Sequence, residues 1–241
     1  MKSQRRMFFV TVVIWLPAML CGTSMGVPVV YLGSDFGAGP GEARPDSDAT
    51  AATFDAAAGG LGAMSVLDFE VLPVGNFGSM AIAPGVTATL QNTDGTYSGI
   101  STSEGVTTGY NTTAGGAKHL HVTPIYTVGT ASVVFDFDSP IYAFGAYLIG
   151  VGTANGNLHV VFDAGGSQDI SVVGDDLGGA QFFGFTSAGN SIVSVGMEMR
   201  EVFGYTRDAF GVDDMRYVPV PEPATIALIG FGALALRGRR R

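Results

Sequence analysis

Glu70, Asp213 and Asp214 are the residues whose types and placement most suggest a shared chemistry. Glu70 lies in a β-like run that opens the body of the chain. Asp213 and Asp214 follow the apolar Phe210-Gly-Val212 pattern of the run that closes it. The first and last strands of a jelly-roll sandwich tend to be neighbours, so such a fold would bring these acids together. Calcium takes carboxylate and carbonyl oxygens as ligands. The expectation is therefore a calcium site joining the two ends of the fold. The alternative is a set of solvated acids at strand ends.

The histidines suggest less. His119-Leu-His121 puts two imidazoles on one face of a possible strand, and His159 stands apart. Zinc needs a third or fourth ligand, so the pair reads as incidental. Asp136 and Asp138 share the solvent side of a strand, and Asp175-Asp176 sits in a glycine-flanked turn. No Gly-x-Ser-x-Gly, His-Glu-x-x-His or phosphate loop occurs. Two carboxylates for glycoside hydrolysis remain an alternative because acids are plentiful. Outside the first 26 residues the chain has no tryptophan, the broadest sugar platform. Tyr97, Tyr110 and Tyr126 are the candidate substitutes.

The elements that must position these residues are short and apolar, separated by Gly, Asn, Asp and Thr. Candidate strands cover 66–72, 86–91, 97–100, 132–137, 143–149, 158–163, 169–173, 181–186, 192–200 and 209–218. Over 133–138 the pattern alternates, with Val133, Phe135 and Phe137 on one face and Asp136 and Asp138 on the other. Asp138-Ser139-Pro140 reads as a turn. Residues 101–130 are Gly/Thr-rich and read as long loops. One short helix is expected near 48–58, capped by Ser47 or Asp48, ended by Gly59-Gly60 and docked through Phe54. About ten strands without alternating long helices predict an all-β, jelly-roll-like sandwich.

Charge divides the chain. Between Val27 and Pro219 five basic residues stand against twenty acids, a net charge of −15. Such a surface repels phosphate backbones and excludes nucleic acid as a partner. The only cysteine, Cys21, lies in the N-terminal segment, so the body has no disulfide and no thiol nucleophile.

Residues 1–26 read as a signal peptide: Lys2, Arg5 and Arg6, then an apolar run from Met7 to Leu20, then small residues at Ser24 and Gly26. Residues 27–65 read as a linker holding the helix, and 66–218 as the passenger domain. At 219–241 prolines at 219, 221 and 223 stop the last strand, and residues 224–236 are apolar. Arg237, Arg239, Arg240 and Arg241 close the chain. The apolar run covers only ~20 Å as a helix against a ~30 Å hydrocarbon core. It is nonetheless expected to insert as a short transmembrane helix, with the arginines on the cytoplasmic side.

This tail, VPEPATIALIGFGALALRGRRR, resembles the PEP-CTERM sorting signal of exported proteins in Gram-negative bacteria. The resemblance implies that residues 220–223 carry the motif, with Pro221, Glu222 and Pro223 recognised by an exosortase, a membrane protease-transpeptidase. It implies transient anchoring in the inner membrane, then release to the cell surface or extracellular matrix. The setting it implies is exopolysaccharide production and biofilm formation. The segments LDFEVLPVG and AFGVDDMRY further resemble jelly-roll carbohydrate-binding modules. The resulting expectation is a non-enzymatic envelope or matrix protein that binds glycan or calcium. The alternative is a secreted hydrolase of matrix glycans.

Overall fold

The alternation at 133–138 belongs to a strand far longer than its pattern predicts. The structure is a computed structural model that describes residues 28–220, apart from 126–129, 152–154, 163–165, 173, 188, 190 and 201–208. The expected signal peptide, Tyr126 and the sorting tail from Pro221 onward lie outside the described residues.

The chain runs β1 (Val29–Phe36), α1 (Pro45–Gly59), β2 (Ser65–Leu67), β3 (Gly75–Asn76), β4 (Ser79–Ala83), β5 (Val86–Gln91), β6 (Gly99–Ser101) and β7 (His119–Val122). It continues through β8 (Thr130–Ile149), β9 (Asn155–Phe162), β10 (Ser167–Val172), β11 (Gly179–Thr186), β12 (Ile192–Arg200) and β13 (Phe210–Pro219). Asp138-Ser139-Pro140 is not a turn between two strands. β8 bends through it, and Asp138 still donates its amide to Gly85 O at 2.9 Å. Proline removes one donor there and leaves the strand otherwise continuous.

The bend lets β8 serve two layers. Its first half pairs with β5 and β12, extending to β4 on one side and to β9 and β10 on the other. Its second half pairs with β11 and β13. Beyond these lie β1 on one edge, and β2, β7, β6 and β3 on the other. The layers face each other through aromatic rings. The centroids of Phe135 and Phe144 are 5.8 Å apart, and Phe144 stacks at 5.9 Å on Phe185, its neighbour within its own layer. The body is thus an antiparallel β-sandwich around the core that contains Val133, Leu148, Phe183, Val195 and Val212.

Because side chains alternate along a strand, the second half of β8 also has an outer apolar face. Ala143, Tyr147 and Ile149 join Phe182 there, under Ala51, Phe54 and Ala58 of α1. Phe54 is fully buried, as expected. The helix begins at Pro45, earlier than predicted, and neither Ser47 nor Asp48 caps it. Asp35 on β1 does so from a distance, accepting the amides of Asp46 at 3.2 Å and Ser47 at 2.7 Å. These donors have no intrahelical partner.

Two segments differ from expectation. β1 lies where a linker was read, and it pairs with β11 along its whole length. β7 lies inside the expected loop region, between β13 and β6. Its Leu120 and Val122 are fully buried in the core. The alternating histidines conceal that apolar face in the sequence. Strands β2 and β13, which open and close the passenger region, are neighbours, with Leu67 opposite Met215. Among the described residues no helix is long and apolar enough to cross a membrane.

Candidate functional site

The three predicted acids meet at one loop, 111–118. Glu70 sits just past β2, after Phe69, which turns the chain at φ 60°. Its Oε1 accepts three donors: Asn111 Nδ2 at 2.8 Å, Ala117 N at 2.8 Å and Lys118 N at 2.7 Å. Lys118 Nζ returns bonds of 2.7 Å to the carbonyls of Glu70 and Leu72. The other end of the loop belongs to β13. Asp213 Oδ2 accepts the amide of Thr112, and the Thr112 hydroxyl lies 2.9 Å from it. Asp214 Oδ1 accepts the hydroxyl of Thr113 at 2.7 Å.

Consecutive strand residues ordinarily face opposite sides. Asp213 and Asp214 reach the same loop because the ladder slips between Asp213 and Arg216, with Asp214 at φ 46°. A bulge of this kind re-aims side chains. Asp213 Oδ2 and both carboxylate oxygens of Asp214 are thereby turned onto N–H and O–H donors of the protein itself. Among the described residues no three His, Cys, Asp or Glu side chains gather into a group able to hold a metal.

Asp213 is fully buried, and its Oδ1 has no hydrogen-bond partner. His119 is also fully buried, with neither ring nitrogen partnered. β13 pairs with β7 as Phe210 opposite Val122, Gly211 opposite His121 and Val212 opposite Leu120, and Asp213 and His119 lie just past the end of that pairing. Burial pushes Asp213 up to about 7, with Asp214 adding repulsion and the Thr112 bonds opposing. Burial also pushes His119 down to about 4, and His121 down as well. Both changes favour uncharged forms. Gly109 closes over His119 and Gly211: a Cβ there would stand 3.0 Å from His119 Nε2 and 2.9 Å from the Cα of Gly211. The rings of His119 and His121 are 5.8 Å apart, whereas His159 pairs with Asp169 at 2.7 Å across β9 and β10. Asp136 and Asp138 are exposed, and Asp175 caps its own turn by accepting the Leu177 amide at 2.9 Å.

The candidate tyrosines separate. Tyr110 is buried, donating its hydroxyl to Ala38 O at 2.6 Å, and offers no platform. Tyr97 is 59% exposed. It stands at a groove of about 270 Å³ whose walls include Asn76, Thr96, Ser101, Ser103 and His121. Asp94 sets the approach to Tyr97: its carbonyl accepts the Tyr97 amide at 3.0 Å and its carboxylate accepts the Thr96 amide at 3.0 Å. Asn76 donates to Thr96 O at 2.6 Å and ties β3 to that turn. Among the described residues no Asp, Glu, Lys or Arg lines the groove. Sequence reading singled out Tyr97 but not Asn76, Ser101 or Ser103. Their common location depends on the pairing of β3 with β6, a two-residue contact with no local signature.

No curated protein matches the chain. Among solved structures, a family 29 carbohydrate-binding module aligns at 7% identity and a TM-score of 0.38, covering 64% of this chain and 87% of that one. A mutant of such a module complexed with cellulohexaose aligns at 8% identity and a TM-score of 0.38, covering 64% and 89%. The structure of PfGH50B aligns at 14% identity and a TM-score of 0.33, covering 44% of this chain and 21% of that one. Residues 219–241 match the PEP-CTERM protein-sorting motif, which marks an exported protein sorted at the membrane and implies exosortase processing. The chain is a β-sandwich body bearing that PEP-CTERM sorting motif at its C-terminal end.

Proposed function

We propose that this is a non-catalytic glycan-binding protein of the bacterial envelope or exopolysaccharide matrix. In this reading the N-terminal signal directs export, the short apolar helix holds the chain in the inner membrane, and processing at Pro221-Glu222-Pro223 delivers the sandwich to the surface or matrix. The observation that carries the binding role is Tyr97, an exposed aromatic face at an uncharged groove edged by amide and hydroxyl groups. A sugar ring stacks its C–H face on an aromatic ring and satisfies its hydroxyls with such groups. The lack of charged walls favours neutral sugars, and the net −15 of the region around it disfavours uronates.

The test is a glycan array probed with the full chain, followed by titration of the best neutral oligosaccharide. Tyr97→Ala should abolish binding and Tyr97→Trp should preserve or improve it. Binding that survives Tyr97→Ala unchanged would move the site elsewhere.

A further inference from the structure

We infer that the cavity beside the exit of the sorting tail is the docking site for the protease that processes that tail. The inference rests on the reading that Pro221-Glu222-Pro223 is an exosortase substrate. The body stays ordered up to the motif: Pro219 pairs opposite Ile141, and Val220 donates its amide to Pro140 O at 2.9 Å. No spacer separates the last strand from Pro221. Ala224, the first residue of the apolar run, is four residues beyond Val220. Even fully extended chain covers only about 14 Å in four residues. The end of the sandwich at Pro140 and Pro219 is therefore held against whatever binds the motif at the membrane surface.

That end is concave. A cavity of about 430 Å³ opens there, lined by Ser65, Val86, Phe137, Ser139, Ile141 and Tyr217 among others. Among the described residues its lining carries no charged side chain, and the exposed Asp138 lies close by, against Gly85. A flat anionic bilayer is a poor fit for a hollow with an acid beside it. A protruding apolar side chain or loop of a protein fits it. The protease is the protein that the tail necessarily brings within reach.

The test follows conversion of the full chain to its processed form in cells that contain the sorting protease. Ser139 is exposed at the cavity, so Ser139→Trp obstructs the hollow and Ser139→Glu charges it. Each should slow conversion about tenfold, the loss typical of a blocked hot spot. The melting temperature of the purified variants should stay at the wild-type value. Glu222→Ala is the control for the underlying reading. If Glu222→Ala is processed normally, the sorting reading fails. If it blocks processing while both Ser139 variants convert at the wild-type rate, the docking inference alone is overturned. Faster conversion with tryptophan and slower conversion with glutamate would indicate bilayer contact and would also overturn it. A photo-crosslinking amino acid placed at Ser139 in the Glu222→Ala chain should capture the tagged protease. Capture only of lipid, of a second copy or of the chain's own tail would count against docking.

Discussion

Gly145 and Gly184 stand directly opposite each other across β8 and β11, and the ring of Phe54 fills the space that their missing side chains leave. A Cβ at Gly184 would lie 2.7 Å from Phe54 Cδ2, and one at Gly145 would lie 3.0 Å from Phe54 Cε1. The helix can approach the sheet this closely only because both positions are bare. Gly184→Ala should therefore destabilise the fold by ~1–3 kcal/mol through overpacking. Phe54→Ala should cost ~3–5 kcal/mol by leaving a cavity. Urea unfolding midpoints at constant m would show both losses. An unaltered midpoint for Gly184→Ala would mean that the helix does not seat in this slot.

The burial of Asp213 and of His119 predicts opposed pH dependences. The folded state raises the pKa of Asp213 from 3.8 to about 7, so the stability it contributes is fully present below about pH 4 and is lost as pH rises toward 7. Asp55, also raised by burial, acts in the same direction. The folded state lowers His119 from 6.5 to about 4, so its contribution is present above pH 6.5 and is lost as pH falls toward 4. His121 acts with His119. Between pH 4 and 6.5 the trends offset each other. Asp213→Asn should unmask stability that rises with pH there, and His119→Gln stability that falls. Each titrating group adds a slope of at most ~1.4 kcal/mol per pH unit. If both variants keep the wild-type profile, these groups do not titrate as their burial requires.

Asp35 predicts a capping loss. Removing its carboxylate in Asp35→Ala orphans the amides of Asp46 and Ser47 at the start of α1. The expected cost is ~1–2 kcal/mol, with Asp35→Asn retaining part of the bond but not the charge at the helix N-terminus. Ser47→Ala is a different experiment, because its hydroxyl bonds to Ala180 O at 3.0 Å and it does not cap the helix.

Glu70 predicts the response to calcium. With its Oε1 already accepting three amide donors, Glu70→Ala should free loop 111–118 and cost ~1–3 kcal/mol. A chelator should leave the melting temperature of the wild-type chain unchanged. A ~100-fold excess of calcium over its Kd would add about 2.7 kcal/mol if the native state bound it. A calcium-dependent rise of several degrees would instead show these acids acting as ligands.

Much of the sandwich is legible locally. Residues 86–91 and 192–200 form strands with the predicted bounds. Val133, Phe135 and Phe137 face the core while Asp136 and Asp138 face water. β7 is not legible, because histidine at alternate positions suggests a polar face although His119 is entirely buried. β1 is not legible either. Its glycine- and acid-containing sequence forms a strand only because β11, some 150 residues on, supplies the partner.

The sequence by itself determined what depends on covalent order and local period: the sorting tail, the alternating strands, the helix around Phe54 and the acidic character of the body. Glu70 and Asp213 both bond to loop 111–118, and what each of them meets there was decided only in three dimensions. The slip in β13 turns Asp213 and Asp214 together onto Thr112 and Thr113, and the groove at Tyr97 exists only where β3 meets β6. The physical reason is that a strand's own residues set its two faces. The neighbour opposite each face is set by the register of hydrogen bonds between distant segments, and one slipped residue re-aims every side chain beyond it.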